Sequence, residues 1–267
     1  MPEEAGPEAE ALPVQELFTL RNVRKVFPNG CIALDGVDLE IIESECLLIS
    51  GSNGSGKTIL MRILAGLLNP SEGTILFRGE ALGRVLRRSG EFRRELGIVF
   101  QDPESQFVGE TVEEDTAFGP SNLGVSPPEI RERVKEALEK TGLWEKRSFS
   151  PRRLSGGEKR RLAVAGVLAM GCGTIIMDEP FANLDWPGVI QVLQIIRTLR
   201  RGNHTLVILT HELEKVLGLS DRLAILHRGT IRDRGNPGEV LNRLRPEYGV
   251  RDPRHVYKTV EDCSWLP

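Results

Sequence analysis

The chain has 267 residues, 40% of them hydrophobic, and a formal net charge of −3. That composition can build a packed core and gives no global electrostatic pull toward nucleic acid or anionic lipid. The scattered Cys31, Cys46, Cys172 and Cys263, with no C-x-x-C pair, and the four dispersed histidines argue against a zinc cluster and fit reduced thiols. No apolar stretch approaches the roughly 20 residues that span a bilayer. The most apolar region, Leu162 to Met177, is broken by glycines and reads as a core helix followed by a strand. Two basic clusters, Arg84/Arg87/Arg88/Arg93/Arg94 and Arg152/Arg153/Lys159/Arg160/Arg161, read mostly as solvated faces.

Residues 1–16 are acidic and Pro-rich, the reverse of a secretory signal, and are expected to form a flexible tail. From Leu17 to Glu45 apolar and polar positions alternate around the turn Pro28-Asn29-Gly30, which predicts an antiparallel hairpin or meander. Cys46-Leu47-Leu48-Ile49 reads as a buried strand, and Ile59 to Leu68 as a helix. A second strand pair is expected to straddle Gly73, through Thr74–Phe77 and Arg78-Gly79. Leu96–Phe100 reads as a buried strand ending at Gln101. Residues Asp102 to Gly124, rich in acids, Gly and Pro, are expected to be loop-like with short helical pieces.

Ser126-Pro127-Pro128-Glu129 reads as a helix start with Ser as N-cap, and Ile130, Val134, Ala137, Leu138 and Leu143 give that helix one apolar face. Ser155-Gly156-Gly157-Glu158 is a second capping box. Strands Thr174–Asp178 and Thr205–Thr210 then alternate with helices, implying a mostly parallel sheet. Residues 250–267 carry no strong pattern and are expected to be a tail.

Between the strand and the helix lies Gly51-Ser52-Asn53-Gly54-Ser55-Gly56-Lys57-Thr58, a complete G-x-x-x-x-G-K-[ST] loop. Its glycines let backbone N–H groups curl around phosphate oxygens, and the helix N-terminus adds a favourable dipole. Lys57 is placed to reach the β/γ-phosphates and Thr58 to offer its hydroxyl to Mg²⁺, so the loop implies a nucleoside triphosphate site. The run Thr174–Met177 ends in Asp178 and Glu179. Asp178 is positioned to bind Mg²⁺, and Glu179 to polarise a water for attack on the γ-phosphate.

Leu154-Ser155-Gly156-Gly157-Glu158 places a serine and glycine amides at a helix N-terminus, a second anion site. Here the chain resembles the ATP-binding-cassette ATPases, from about Leu17 to Asn242, with Glu158 where glutamine is common. The resemblance implies an α/β fold: a P-loop NTPase core with a mostly parallel sheet, an N-terminal antiparallel β subdomain and an inserted helical subdomain. Residues 17–249 would form the nucleotide-binding domain, with the helical part at about 102–170. It further implies that residues 154–158 close over the ATP held by the opposite subunit of a head-to-tail dimer. Gln101 resembles the glutamine that senses Mg²⁺ and the attacking water. Ala182-Asn183-Leu184-Asp185 resembles the loop through which the two sites communicate, His211 the histidine that contacts the γ-phosphate, and Phe27 the aromatic that stacks on adenine.

Gln101–Val108, Thr111–Pro120 and Asn122-Leu123-Gly124 are similar to the energy-coupling-factor ATPases, which serve importers of cobalt, nickel and vitamins. That likeness implies integral membrane partners, a place on the cytoplasmic face of the cell membrane, and no nucleic-acid partner. Both halves of the composite site are intact, so a homodimer is competent and a heterodimer with a paralogous ATPase is equally compatible. The rival reading is a soluble ATPase switch acting on nucleic acid or the ribosome.

Overall fold

The computed structural model describes residues 15–88 and 90–254. Among these are ten strands: β1 Glu16–Val26, β2 Ile32–Ile42, β3 Cys46–Ser50, β4 Glu72–Phe77, β5 Glu80–Ala81, β6 Leu96–Val99, β7 Thr174–Asp178, β8 Thr205–Thr210, β9 Arg222–His227 and β10 Thr230–Gly235. The helices are α1 Lys57–Leu64, α2 Leu82–Val85, α3 Gly90–Glu95, α4 Val112–Asn122, α5 Pro127–Lys140, α6 Gly156–Met170, α7 Trp186–Arg201, α8 Leu213–Val216 and α9 Pro237–Asn242. The sequence expectations for residues 1–14 and 255–267, Cys263 included, lie outside the described residues.

The strands form two sheets. One is antiparallel, ordered β2-β1-β4-β5, and the other is ordered β10-β9-β3-β8-β7-β6 with parallel pairing from β9 through β6. Because successive side chains of a strand point to opposite faces, the fully buried β3 feeds two cores. Leu47 and Ile49 join the core shared with the antiparallel sheet and α1, where Phe92 packs edge to face on Phe18 and Phe77. Cys46 and Leu48 face the other core, with Val164, Val167, Val192 and Ile196 from α6 and α7. A third cluster lies among α4, α5 and α6, with Val112, Val134, Leu138, Leu154 and Leu162 at its centre.

Four sequence expectations change. The second strand pair turns at Arg78-Gly79, where both residues have positive φ, and Gly73 lies inside β4 instead. The segment 102–124 is mostly helix: a 3-10 turn at Pro103–Gln106 and then α4. The start of α4 is fixed by a reciprocal cap between Thr111 and Glu114, and Val112, Thr116 and Pro120 are buried. Ser126 does begin α5 with Pro127 behind it, but its side chain makes no cap hydrogen bond; α5 ends at Lys140, and Leu143 reaches the same core from the following turn. In the second basic cluster Arg160 is buried and Arg161 donates to the carbonyls of Thr141 and Gly142, so these two guanidiniums tie backbone rather than face solvent.

Candidate functional site

The phosphate-loop motif lies where β3 hands over to α1. Gly56 has φ 108° and a Cβ there would sit 2.6 Å from the Ala33 carbonyl, so the loop can pack this closely on β2 only with glycine. A Cβ at Gly51 would meet the Leu226 carbonyl at 2.1 Å. Asn53 and Gly54 stand exposed at the tip, while Ser55 and Lys57 are buried. The Lys57 ammonium donates to the Gly51 carbonyl at 2.6 Å and lies 3.4 Å from Glu179 Oε1. Its charge is thus held under the loop, beside a carboxylate.

Parallel pairing of β3, β8 and β7 brings the ends of all three strands to one edge. Thr58 Oγ1 donates to Asp178 Oδ2 at 2.8 Å across this edge. Burial pushes the Asp178 carboxyl above its ordinary range, and the Thr58 hydrogen bond works against that. Asp178 Oδ1 is buried and has no hydrogen-bond partner among the described residues, an arrangement that costs stability without a donor or cation. A free carboxylate oxygen beside a hydroxyl is a hard-oxygen donor set, which fits a Mg²⁺ that takes its remaining ligands from phosphate and water.

Glu179 follows at φ 46°, a left-handed conformation for a long side chain and one that stores about 1–3 kcal/mol of strain. Its amide donates to the Leu209 carbonyl at 2.8 Å, fixing the turn. Thr210 Oγ1 donates to Glu179 Oε2 at 2.9 Å, and His211 Nδ1 lies 3.0 Å from the same oxygen. The carboxylate is therefore aimed by three neighbours, Thr210, His211 and Lys57, while Leu209 fixes the backbone beneath it. Thr210 is a site residue that sequence reasoning missed; nothing in an apolar strand that ends in threonine marks it.

Ser155 caps α6. Its Oγ accepts from the Glu158 amide at 3.3 Å, and Glu158 Oε2 accepts from the Ser155 amide at 3.0 Å. Glu158 is further paired with Lys146. Leu154 anchors this end in the helical core, whereas Ser155 and Gly156 face outward. A Cβ on Gly157 would come within 3.5 Å of the Gly188 Cα, so α6 and α7 start side by side. Asp185 caps α7 by accepting from the Gly188 amide at 2.9 Å. Among the described residues no hydrogen bond or ion pair links 155–157 to 51–58.

The structure thus brings Lys57, Thr58, Asp178, Glu179 and His211 together and sets residues 154–158 with Asp185 in a second group. Gln101 follows β6 with its side chain exposed, and its carbonyl accepts from Arg160 at 2.8 Å. Phe27 lies half-buried at the end of β1, with Lys25 Nζ 5.5 Å from its ring centre.

A family model described as ABC transporter matches residues 34–182. The chain belongs to that family. It is 43% identical to the energy-coupling factor transporter ATP-binding protein of Methanosarcina acetivorans, over 89% of this chain and 86% of that one. It is 41% identical to the cobalt import ATP-binding protein of Rhodobacter capsulatus, over 85% of this chain and 82% of the relative. The solved structure of CbiO1 from Clostridium perfringens, part of an ABC transporter complex, superposes with a TM-score of 0.78 at 32% identity, covering 87% of this chain and 92% of that one. This ABC protein is an ATPase.

Proposed function

We propose that this ATPase sits on the cytosolic face of the membrane and powers an importer of the energy-coupling-factor type for metal ions such as cobalt or nickel, or for vitamins. What supports the reading above all is the convergence of Lys57, Thr58, Asp178, Glu179 and His211 on one strand edge, with the capped Ser155 end of α6 turned outward. Residues 51–58 cradle the phosphates of ATP and Phe27 stacks on its base. Thr58, Asp178 and Gln101 would hold Mg²⁺, which when bound neutralises phosphate charge. Lys57 offsets the β/γ-phosphate charge, Glu179 takes a proton from the attacking water, and His211 holds the water-facing carboxylate in place while contacting the γ-phosphate. Residues 154–158 of a second copy, or of a paralogous ATPase, close the site, with Asp185 at the junction.

No helix among the described residues is long and apolar enough to cross a membrane, so force must pass through a docked partner. A groove of about 270 Å³ lies between β6 and the helical region, lined by Ile98, Phe107, Val108, Phe118, Gly166 and Met170 among others. Val108 and Phe118 are 58% and 51% exposed at its mouth. Apolar anchors beside the acidic Glu113 and Glu114 suit a short amphipathic helix of a membrane protein.

Reversing the charge of Glu113 and Glu114 together is a poor probe, because Glu114 closes the cap of α4. Phe118→Glu is cleaner. It is expected to leave ATP hydrolysis by the isolated subunit within about twofold, as surface changes do, and to abolish co-purification with integral membrane subunits and solute uptake. Unchanged co-purification and uptake would place the docking site elsewhere. The nucleic-acid or ribosome switch is not favoured: the net charge is −3 and the relatives above are transporter subunits.

A further inference from the structure

Arg160 stands one turn into α6 and is buried, at 2% exposure. Its guanidinium crosses to the segment that follows β6: one Nη donates to the Phe100 carbonyl at 2.6 Å and the other to the Gln101 carbonyl at 2.8 Å. Burying a cation is costly unless its partners are well placed. Here they are two backbone carbonyls at a strand end, with Asp102, Asp178 and Glu179 supplying the negative field. From the other side, Gln106 accepts from the Phe100 amide and donates to the Ile98 carbonyl, each at 3.0 Å. Both backbone polar groups of Phe100 are therefore held by side chains, and the chain leaves the sheet along a fixed path. Lys159 adds an exposed tie to Glu104 at 2.7 Å.

We propose that Arg160 is a positioning residue whose two-pronged bond joins the Ser155 end of α6 to Gln101, so that displacing one displaces the other. This rests on the reading above, in which Gln101 helps to hold Mg²⁺ at one ATP site and residues 154–158 close over the ATP of a second subunit. The planar fork suits two adjacent carbonyls in a way that a lysine ammonium does not, although lysine keeps the charge.

Arg160→Lys is therefore the informative variant, studied in the full chain. Amide hydrogen exchange is followed with and without a non-hydrolysable ATP analogue and Mg²⁺. In the native protein the analogue is expected to slow exchange at residues 100–106 and 155–162 together. In Arg160→Lys one segment is expected to respond and the other not. Turnover should fall about tenfold to a hundredfold, the scale of a small misplacement, while the analogue's Kd moves by less than about twofold, since ground-state binding is untouched. Joint protection of both segments in Arg160→Lys, or native turnover, would overturn the proposal. So would a fall in turnover that only tracks the folded fraction in a melting curve. Gln101→Ala is measured separately: native turnover there removes Gln101 from the chemistry, and the exchange experiment still decides Arg160. If Arg160→Lys does not fold, Arg160→Gln takes its place with the same readouts.

Discussion

Glu179 combines a strained backbone, burial and aiming contacts from three residues, which are costs a structural carboxylate has no reason to carry. Glu179→Gln keeps the size of the side chain and the bond from Thr210 but cannot take a proton. It is expected to bind Mg-ATP while phosphate release falls at least about a hundredfold, the low end for a lost general base, and to trap an ATP-bound dimer visible by size exclusion. Near-native phosphate release would remove Glu179 from the catalytic role. Asp178, Glu179 and Lys57 were legible in the sequence because an apolar strand ending in two acids and a complete phosphate loop each carry their own local signature. Thr210 and Arg160 were not. Their contacts reach across 31 residues to Glu179 and 59 residues to Gln101, and chain order alone does not reveal such proximity. Arg160 was further hidden by its neighbours, since a run of basic residues ordinarily reads as a solvated face.

Among the elements, α6 depends most on chemistry at its first turn. Burial disfavours the Glu158 carboxylate, but the Lys146 ammonium and the Ser155 amide outweigh that and hold the carboxyl below its usual range. A lowered folded-state value means the stabilisation is complete above the ordinary glutamate range and is lost as pH falls through the folded value. Glu158→Gln should accordingly melt below the native protein at neutral pH, by an amount equivalent to about 1 kcal/mol for a weakened cap. The difference should shrink in acid. A gap that persists unchanged at low pH would assign the effect to packing instead. The start of α6 was readable as Ser-x-x-Glu. So, in principle, was α4, through Thr111 and Glu114, yet Gly119 and Pro120 in its second half and its weak amphipathic pattern point toward loop. Packing against α6, not local preference, completes that helix.

At the scale of the molecule, the parallel sheet was legible because each of its central strands has a continuous apolar run at its centre and is buried along its whole length, as strands covered on both faces must be. Cys46 and Cys172 lie in the core on one face of that sheet, and burial pushes both thiols up to about 12. Cys31 is exposed. Alkylation of the native protein at mildly alkaline pH, mapped by mass spectrometry, should modify Cys31 and spare Cys46 and Cys172 until global unfolding. Early labelling of the buried pair would show that this core opens locally. Helix α6 belongs to two cores at once: Ala163, Val164 and Val167 pack toward the sheet, while Leu162, Ala165 and Ala169 pack toward α4 and α5. At 15 residues it is a rod about 22 Å long. Its capped end faces the nucleotide of a second subunit in the proposed dimer, and its far end, with Gly166 and Met170, lines the groove beneath Phe118. Pivoting at Ser155 by about 10° would sweep Met170 through roughly 4 Å. The same rod is thus a lever, hinged at the fuel and swinging the load at its far end.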